Sequence, residues 1–140
     1  MSKTRFAGTL QAGPIGAVGK AVLAQVYDSG DMTGLAQGNY DVQLGVLPAG
    51  AEILDIAVDQ VVAAGAGTTT VSVGTASGGA QLMAGVATTA GGRFRGVATA
   101  ATQLAWQGGD AAQSVWVRNV IGTATLTAGR LVVTVQYVQK

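Results

Sequence analysis

From Tyr40 to the end of the chain, apolar residues return at every second position, and few folds accept that rhythm. Val42, Leu44 and Val46 alternate with Asp41, Gln43 and Gly45; Val115 and Val117 alternate with Trp116 and Arg118; Leu131, Val133, Val135 and Tyr137 alternate with Thr134 and Gln136. Successive side chains of an extended strand point to opposite faces, so such a segment buries one face and wets the other. No stretch shows a helical period with caps. The period predicts strands near 40–46, 51–62, 68–74, 81–84, 93–97, 103–106, 114–120 and 131–138, with Leu54, Ile56 and Val58 sharing one face of the second. Turn sequences such as Leu47-Pro48-Ala49-Gly50, Ser77-Gly78-Gly79 and Gln107-Gly108-Gly109-Asp110 separate them. Strands of this kind at ~8–12-residue spacing indicate an antiparallel sandwich or barrel. The fold class is all-β: an antiparallel jelly-roll-like β-sandwich of about eight strands.

The lead-in differs. Residues 1–19 have glycine every few positions and no sustained period, which describes an extended N-terminal arm. Residues 20–27 form a short strand with Val22, Ala24 and Val26 on one face, and 28–39 read as a polar loop. The division is therefore 1–39 for arm, strand and loop, and 40–140 for the sandwich. One internal echo, Thr89-Ala90-Gly91-Gly92-Arg93 and Thr127-Ala128-Gly129-Arg130, leads into a strand each time and indicates one turn chemistry used twice.

Charged residues make up only 11% of the chain, and much of the 49% hydrophobic fraction is Ala and Val, alongside 22 glycines. A surface so poor in charge needs covering by partner subunits, since charge keeps soluble surfaces apart. Net charge is +1, which gives the whole chain no pull toward nucleic acid or anionic lipid. The distribution is lopsided. Residues 1–60 hold three cations and six carboxylates, and residues 61–140 hold five cations and Asp110 alone. Complementary pairing between neighbouring subunits and chance account for this equally well. The uncharged stretch from Asp59 to Arg93 is too rich in Gly, Thr and Ser for a membrane-spanning helix.

With no histidine and no cysteine, triads, thiolate metal sites and imidazole ligands are unavailable. Asp55 and Asp59 share a strand face but lie about 13 Å apart, too far for a glycosidase pair. The loop at 13–21 lacks the glycine and hydroxyl that a phosphate cradle needs. Asp28-Ser29-Gly30-Asp31 reads as an Asp-rich turn before it reads as a calcium loop. Arg93 and Arg95 flank Phe94, which a strand would direct to the core while the arginines meet acidic neighbours. Trp106 and Trp116 read as large core anchors, with sugar stacking as the rival. No enzyme, cofactor, metal or small-molecule substrate follows.

Three stretches carry a resemblance: Leu47-Pro48-Ala49-Gly50-Ala51-Glu52-Ile53-Leu54-Asp55-Ile56, Thr70-Val71-Ser72-Val73-Gly74-Thr75-Ala76, and Leu126 through Val138 with its closing Tyr137-Val138. Together, over roughly residues 40–138, the chain resembles the small jelly-roll capsid decoration (cement) proteins of tailed double-stranded-DNA bacteriophages. The resemblance implies a virion structural protein, made in the host cytoplasm, that sits as a homotrimer on the outer surface of the head against the major capsid protein. It implies no catalytic residues, nucleic acid or membrane partner. Family contacts through terminal arms put Lys3, Arg5, Phe6, Leu10, Pro14 and Ile15, with Arg93 and Arg95, forward as interface residues. The alternatives are a head-fibre or host-glycan receptor-binding module using a tryptophan, and a tail or neck component.

Overall fold

The computed structural model describes residues 22–96 and 111–139. Among them the two-residue period resolves into eight strands: β1 (Val22–Asp28), β2 (Gly38–Leu47), β3 (Ala51–Val62), β4 (Thr68–Gly74), β5 (Met83–Ala87), β6 (Gly92–Gly96), β7 (Gln113–Gly122) and β8 (Arg130–Gln139). The strand read at 103–106 lies outside the described residues.

The strands form two four-stranded sheets, β1-β8-β3-β6 and β2-β7-β4-β5. The wiring is that of one long hairpin rolled up: β1 pairs with β8, β2 with β7, β3 with β6 and β4 with β5, all antiparallel. Further pairings, β3 with β8 and β4 with β7, complete the two sheets. This is a jelly-roll-like sandwich. β1, read from sequence as part of the lead-in, pairs with β8 from Val22↔Val138 to Asp28↔Val132, so it is an edge strand of the sandwich.

The inner faces meet over small, branched side chains. Val71, Val73, Val115 and Val117 of one sheet and Ile56, Val58, Val133 and Val135 of the other are buried, and Leu47, Leu82, Leu126 and Leu131 fill the ends. Branched residues pack well on a pleated surface, and their modest volume lets the two sheets interdigitate.

β3 departs from strict alternation. Ile53, Ile56 and Val58 are buried while Leu54 is 47% exposed. A bulge between Ile53 and Asp55 inserts an extra residue opposite β8 and turns Leu54 outward, so Leu54 does not share the face of Ile56 and Val58. Adjacent Ile53 and Leu54 fit either register, and only the pairing with β8 decides between them.

The echoed turns do the same work twice. The Thr89 hydroxyl accepts the Thr69 N–H at 2.9 Å, and the Thr127 hydroxyl accepts the Ala66 N–H at 2.8 Å. The first bond holds the start of β4 and the second the connection that leads into it. Gly91 and Gly129 then take φ of 84° and 144°, a region that side chains avoid.

Among the described residues, one breaks that rule. Thr123 has φ of 64°, and the Ala124 N–H bonds back to the Gly122 carbonyl at 2.8 Å, closing a three-residue turn around a β-branched side chain. A left-handed conformation costs a non-glycine residue about 1–2 kcal/mol, more than the ~0.5–1 kcal/mol of backbone entropy that glycine brings to folding. Thr123→Gly should therefore raise the unfolding free energy by roughly 0.5–1 kcal/mol, measured by chemical denaturation; a loss of stability would show that the threonine side chain holds the turn.

Candidate interaction faces

Four arginine–aspartate pairs run over the described surface, and each joins an early strand to a late one. On the outer face of the β1-β8-β3-β6 sheet, Arg93 of β6 grips Asp59 of β3 with Nε and Nη2 at 2.6 and 2.9 Å, and Arg95 reaches Asp55. On the other sheet, Arg118 of β7 holds Asp41 of β2 at 2.6 and 2.8 Å. At the rim, Arg130 of β8 holds Asp28 of β1 at 3.2 and 2.6 Å. The opposite charges of the two halves of the chain thus meet inside one molecule, which replaces the reading of them as contacts between subunits. Rolling up the hairpin puts each early carboxylate beside a late guanidinium.

Fixed donors hold Asp28, Asp41 and Asp59 below the usual carboxylate range. Asp28 is pulled down to about 2 by Arg130 and then by the Gly30 N–H. Asp41 is pulled down to about 2 by Arg118 and then by the Ser77 hydroxyl. Asp59 is lowered mainly by Arg93, and Asp31 by the hydroxyl and N–H of Thr33. The Asp28–Asp31 stretch is accordingly an Asp turn whose oxygens are taken by Gly30, Thr33 and Arg130. Among the described residues, no group of three or more acidic, His or Cys side chains is placed to hold a metal.

The two outer faces differ in chemistry. On the β1-β8-β3-β6 sheet, Val22 and Val26 of β1 are 56% and 58% exposed, and Leu54, Val61 and Val62 of β3 are also exposed. Lysine and proline, the usual guards of an edge strand, are missing from β1. Val22, Val26 and their neighbour Val138 form an apolar strip, with the Asp55–Arg95 and Asp59–Arg93 pairs across the sheet.

The outer face of the β2-β7-β4-β5 sheet carries one aromatic beside polar groups, the Asp41–Arg118 pair and the 47% exposed Val46. Val115 and Val117 point into the core, so Trp116 between them points out, half-buried, flanked in register by Gln43 of β2 and Gly74 of β4. The reading of Trp116 as a core anchor is thereby corrected. Its even position on a strand whose odd positions are buried decides the matter, and that parity was visible in the sequence. Trp106 lies outside the described residues. Beside Trp116, the loop from Thr75 to Gln81 folds over the sheet. Ser77 donates to Asp41 at 2.7 Å, Gln113 donates to the Thr75 carbonyl at 3.3 Å, and the Thr75 N–H meets Gln81 at 3.0 Å. Gly78, at φ of 78°, lies against the Arg118 guanidinium, where an added Cβ would come within 2.7 Å of Nη2.

Of the residues read as interface, Arg93 and Arg95 sit side by side on β6 with more than half of each side chain exposed, and Phe94 between them turns toward the core as its parity requires. Lys3, Arg5, Phe6, Leu10, Pro14 and Ile15 lie outside the described residues. The sequence reading missed the exposed valines of β1, because alternation marks a strand but not which strand lies at an edge.

In structure, the chain is similar to a chain from the capsid of Ralstonia phage GP4, with a TM-score of 0.62 and 24% identity over 93% of this chain and 92% of that one. The likeness is one of fold. No protein-family model matches the chain, and no curated protein matches it.

The lowered carboxylates fix the acid response. A carboxylate whose folded-state value lies below its ordinary one stabilises the fold while ionised. For Asp28 and Asp41 that contribution is complete above about pH 4 and is lost as pH falls through about 2. The melting temperature should hold level from neutral pH to about pH 5 and then fall toward pH 2. Asp41→Asn should lower it at neutral pH and flatten part of that acid limb; an acid limb identical to wild type would remove the Asp41–Arg118 pair from the account.

Proposed function

We propose that this chain is a virion structural protein: a capsid decoration (cement) protein that seats as a homotrimer on the outside of a bacteriophage head, against the major capsid protein, and stabilises the shell. The observation that carries the reading is the fold shared, over nearly the full length of both chains, with a chain of a phage capsid. The surface supports it. An edge strand with exposed valines and no guarding residue invites a protein neighbour, because uncovered it would template aggregation. The low charge content has the same consequence, and the four ion pairs leave the arginines largely neutralised, so apolar contact has to supply the affinity.

On this reading the valine strip of β1 and β8 packs against a second copy, while residues 1–19 grip the capsid lattice through Lys3, Arg5, Phe6, Leu10, Pro14 and Ile15. Arg93 and Arg95, more than half exposed, have room to bond a neighbour while holding their aspartates. The chain works by geometry and burial, with no chemical step.

Size-exclusion chromatography with light scattering should give a trimer, and the purified protein should rebind undecorated heads. Val26→Asp, on an exposed position that leaves the core intact, should yield folded monomers. Deletion of residues 1–19 should weaken head binding and leave the trimer whole. A stable monomer that ignores heads at every concentration would end this reading.

A further inference from the structure

We propose that the cavity between the edge strands β1 and β2 receives the guanidinium of an arginine that the shell protein presents. The proposal rests on the capsid-binding reading above and names one contact within it.

Asn119 stands where the strand pattern asks for a valine. Val115, Val117 and Ile121 share its parity on β7 and are buried in the core, and Asn119 itself is only 6% exposed. Its Nδ2 donates to the Met32 sulfur at 3.3 Å, while its Oδ1 is buried with no hydrogen-bond partner. A thioether only accepts, so the amide cannot be turned round without losing that bond. A buried acceptor left unpaired costs stability, and an inward-facing asparagine among valines needs a compensating role.

Asn119 lines a cavity of about 170 Å³. Tyr27 of β1, Tyr40 of β2, and Asp31 and Met32 of the β1–β2 connection line it too. A cavity of ~150 Å³ takes a benzene ring, so this one has room for a guanidinium and part of its stem.

The lining asks for a donor, and for a charged one. The Tyr40 hydroxyl donates to the Ala36 carbonyl and the Ser29 hydroxyl to the Gly30 carbonyl, each at 2.9 Å. The Asn119 Oδ1 is left as an acceptor. Asp31 adds negative charge. Its two bonds from Thr33, at 2.9 and 2.7 Å, both fall on Oδ1. Among the described aspartates it alone has no arginine partner. A guanidinium matches this set, because its flat face stacks on a tyrosine ring and it has donors for both oxygens. Water could satisfy Asn119 but would leave the charge of Asp31 unanswered.

The arginine has to come from another protein. Arg93, Arg95, Arg118 and Arg130 of every copy are held by Asp59, Asp55, Asp41 and Asp28. A second copy therefore has no spare guanidinium among its described residues, and Arg5 is committed to the lattice on the capsid-binding reading.

The test titrates ethylguanidinium chloride into the intact oligomer, followed by NMR shifts of the cavity residues. Propylurea and butylammonium serve as the neutral and cationic controls. Ethylguanidinium should bind, and each control should bind at least about tenfold more weakly. Asp31→Asn keeps an oxygen for Thr33, and Asn119→Val restores the valine pattern and should melt at or above wild type. Each substitution should weaken ethylguanidinium about tenfold, the loss of one charge-assisted hydrogen bond. Both variants should stay trimeric and rebind undecorated heads about tenfold more weakly than wild type. No ethylguanidinium binding, binding equal to that of propylurea, or binding indifferent to both substitutions would overturn the proposal. Head rebinding unchanged in both variants would overturn the shell protein as the source, and so would a variant that loses its trimer. Wild-type protein that takes ethylguanidinium yet ignores heads would sink the capsid reading and its arginine, with the chemistry of the cavity left standing.

Discussion

The strands of the first half of the chain find hydrogen-bonding partners in the second half, and the rest of the structure depends on that roll-up. β1 waits for β8, β2 for β7 and β3 for β6, so neither sheet exists until the ends of the chain return. Pairings so distant in sequence cost loop-closure entropy before any contact repays it. Devices that make the correct partner distinguishable from the wrong one are then worth having. The Asp–Arg pairs are such a device. Early strands carry the carboxylates and late strands the guanidiniums, so an early strand laid beside another early strand would oppose like charges.

The core adds little discrimination of its own. Valine is its commonest residue, and one valine fits another's place, so a slip of two residues along a valine-rich strand would bury much the same volume. Register is fixed instead at irregular points: the bulge at Leu54, the threonines of the two echoed turns, and the glycines that let loops lie close against Arg118 and the β3–β4 connection. An interior of interchangeable parts is thereby held in one arrangement by its edges.

Much of this was legible in the sequence, and the misreadings have physical causes. Strand periodicity from Tyr40 to Val138 reflects the steric demand of a half-buried strand, which each strand states locally. Phe94 between two arginines could be placed for the same reason. The charge imbalance between the halves was visible, but sequence does not say whether complementary charges meet within a chain or between chains, and the topology answers that. Trp116 was misjudged by size, since a large aromatic suggests a core, although its own strand placed it outward. Leu54 was misjudged because a bulge is a two-strand event that one strand does not reveal. The exposure of Val22 and Val26 follows from β1 standing at an edge, a property of the assembled sheet.

Val22 and Val138 are register partners, so the described chain enters and leaves the sandwich at one corner, on neighbouring antiparallel strands. Tension applied through those two points would part β1 from β8 like a zipper, one hydrogen bond after another, with no row of bonds resisting together. Squeezing across the sheets meets a close-packed interior of low compressibility. Mechanically the molecule is a wedge rather than a rope.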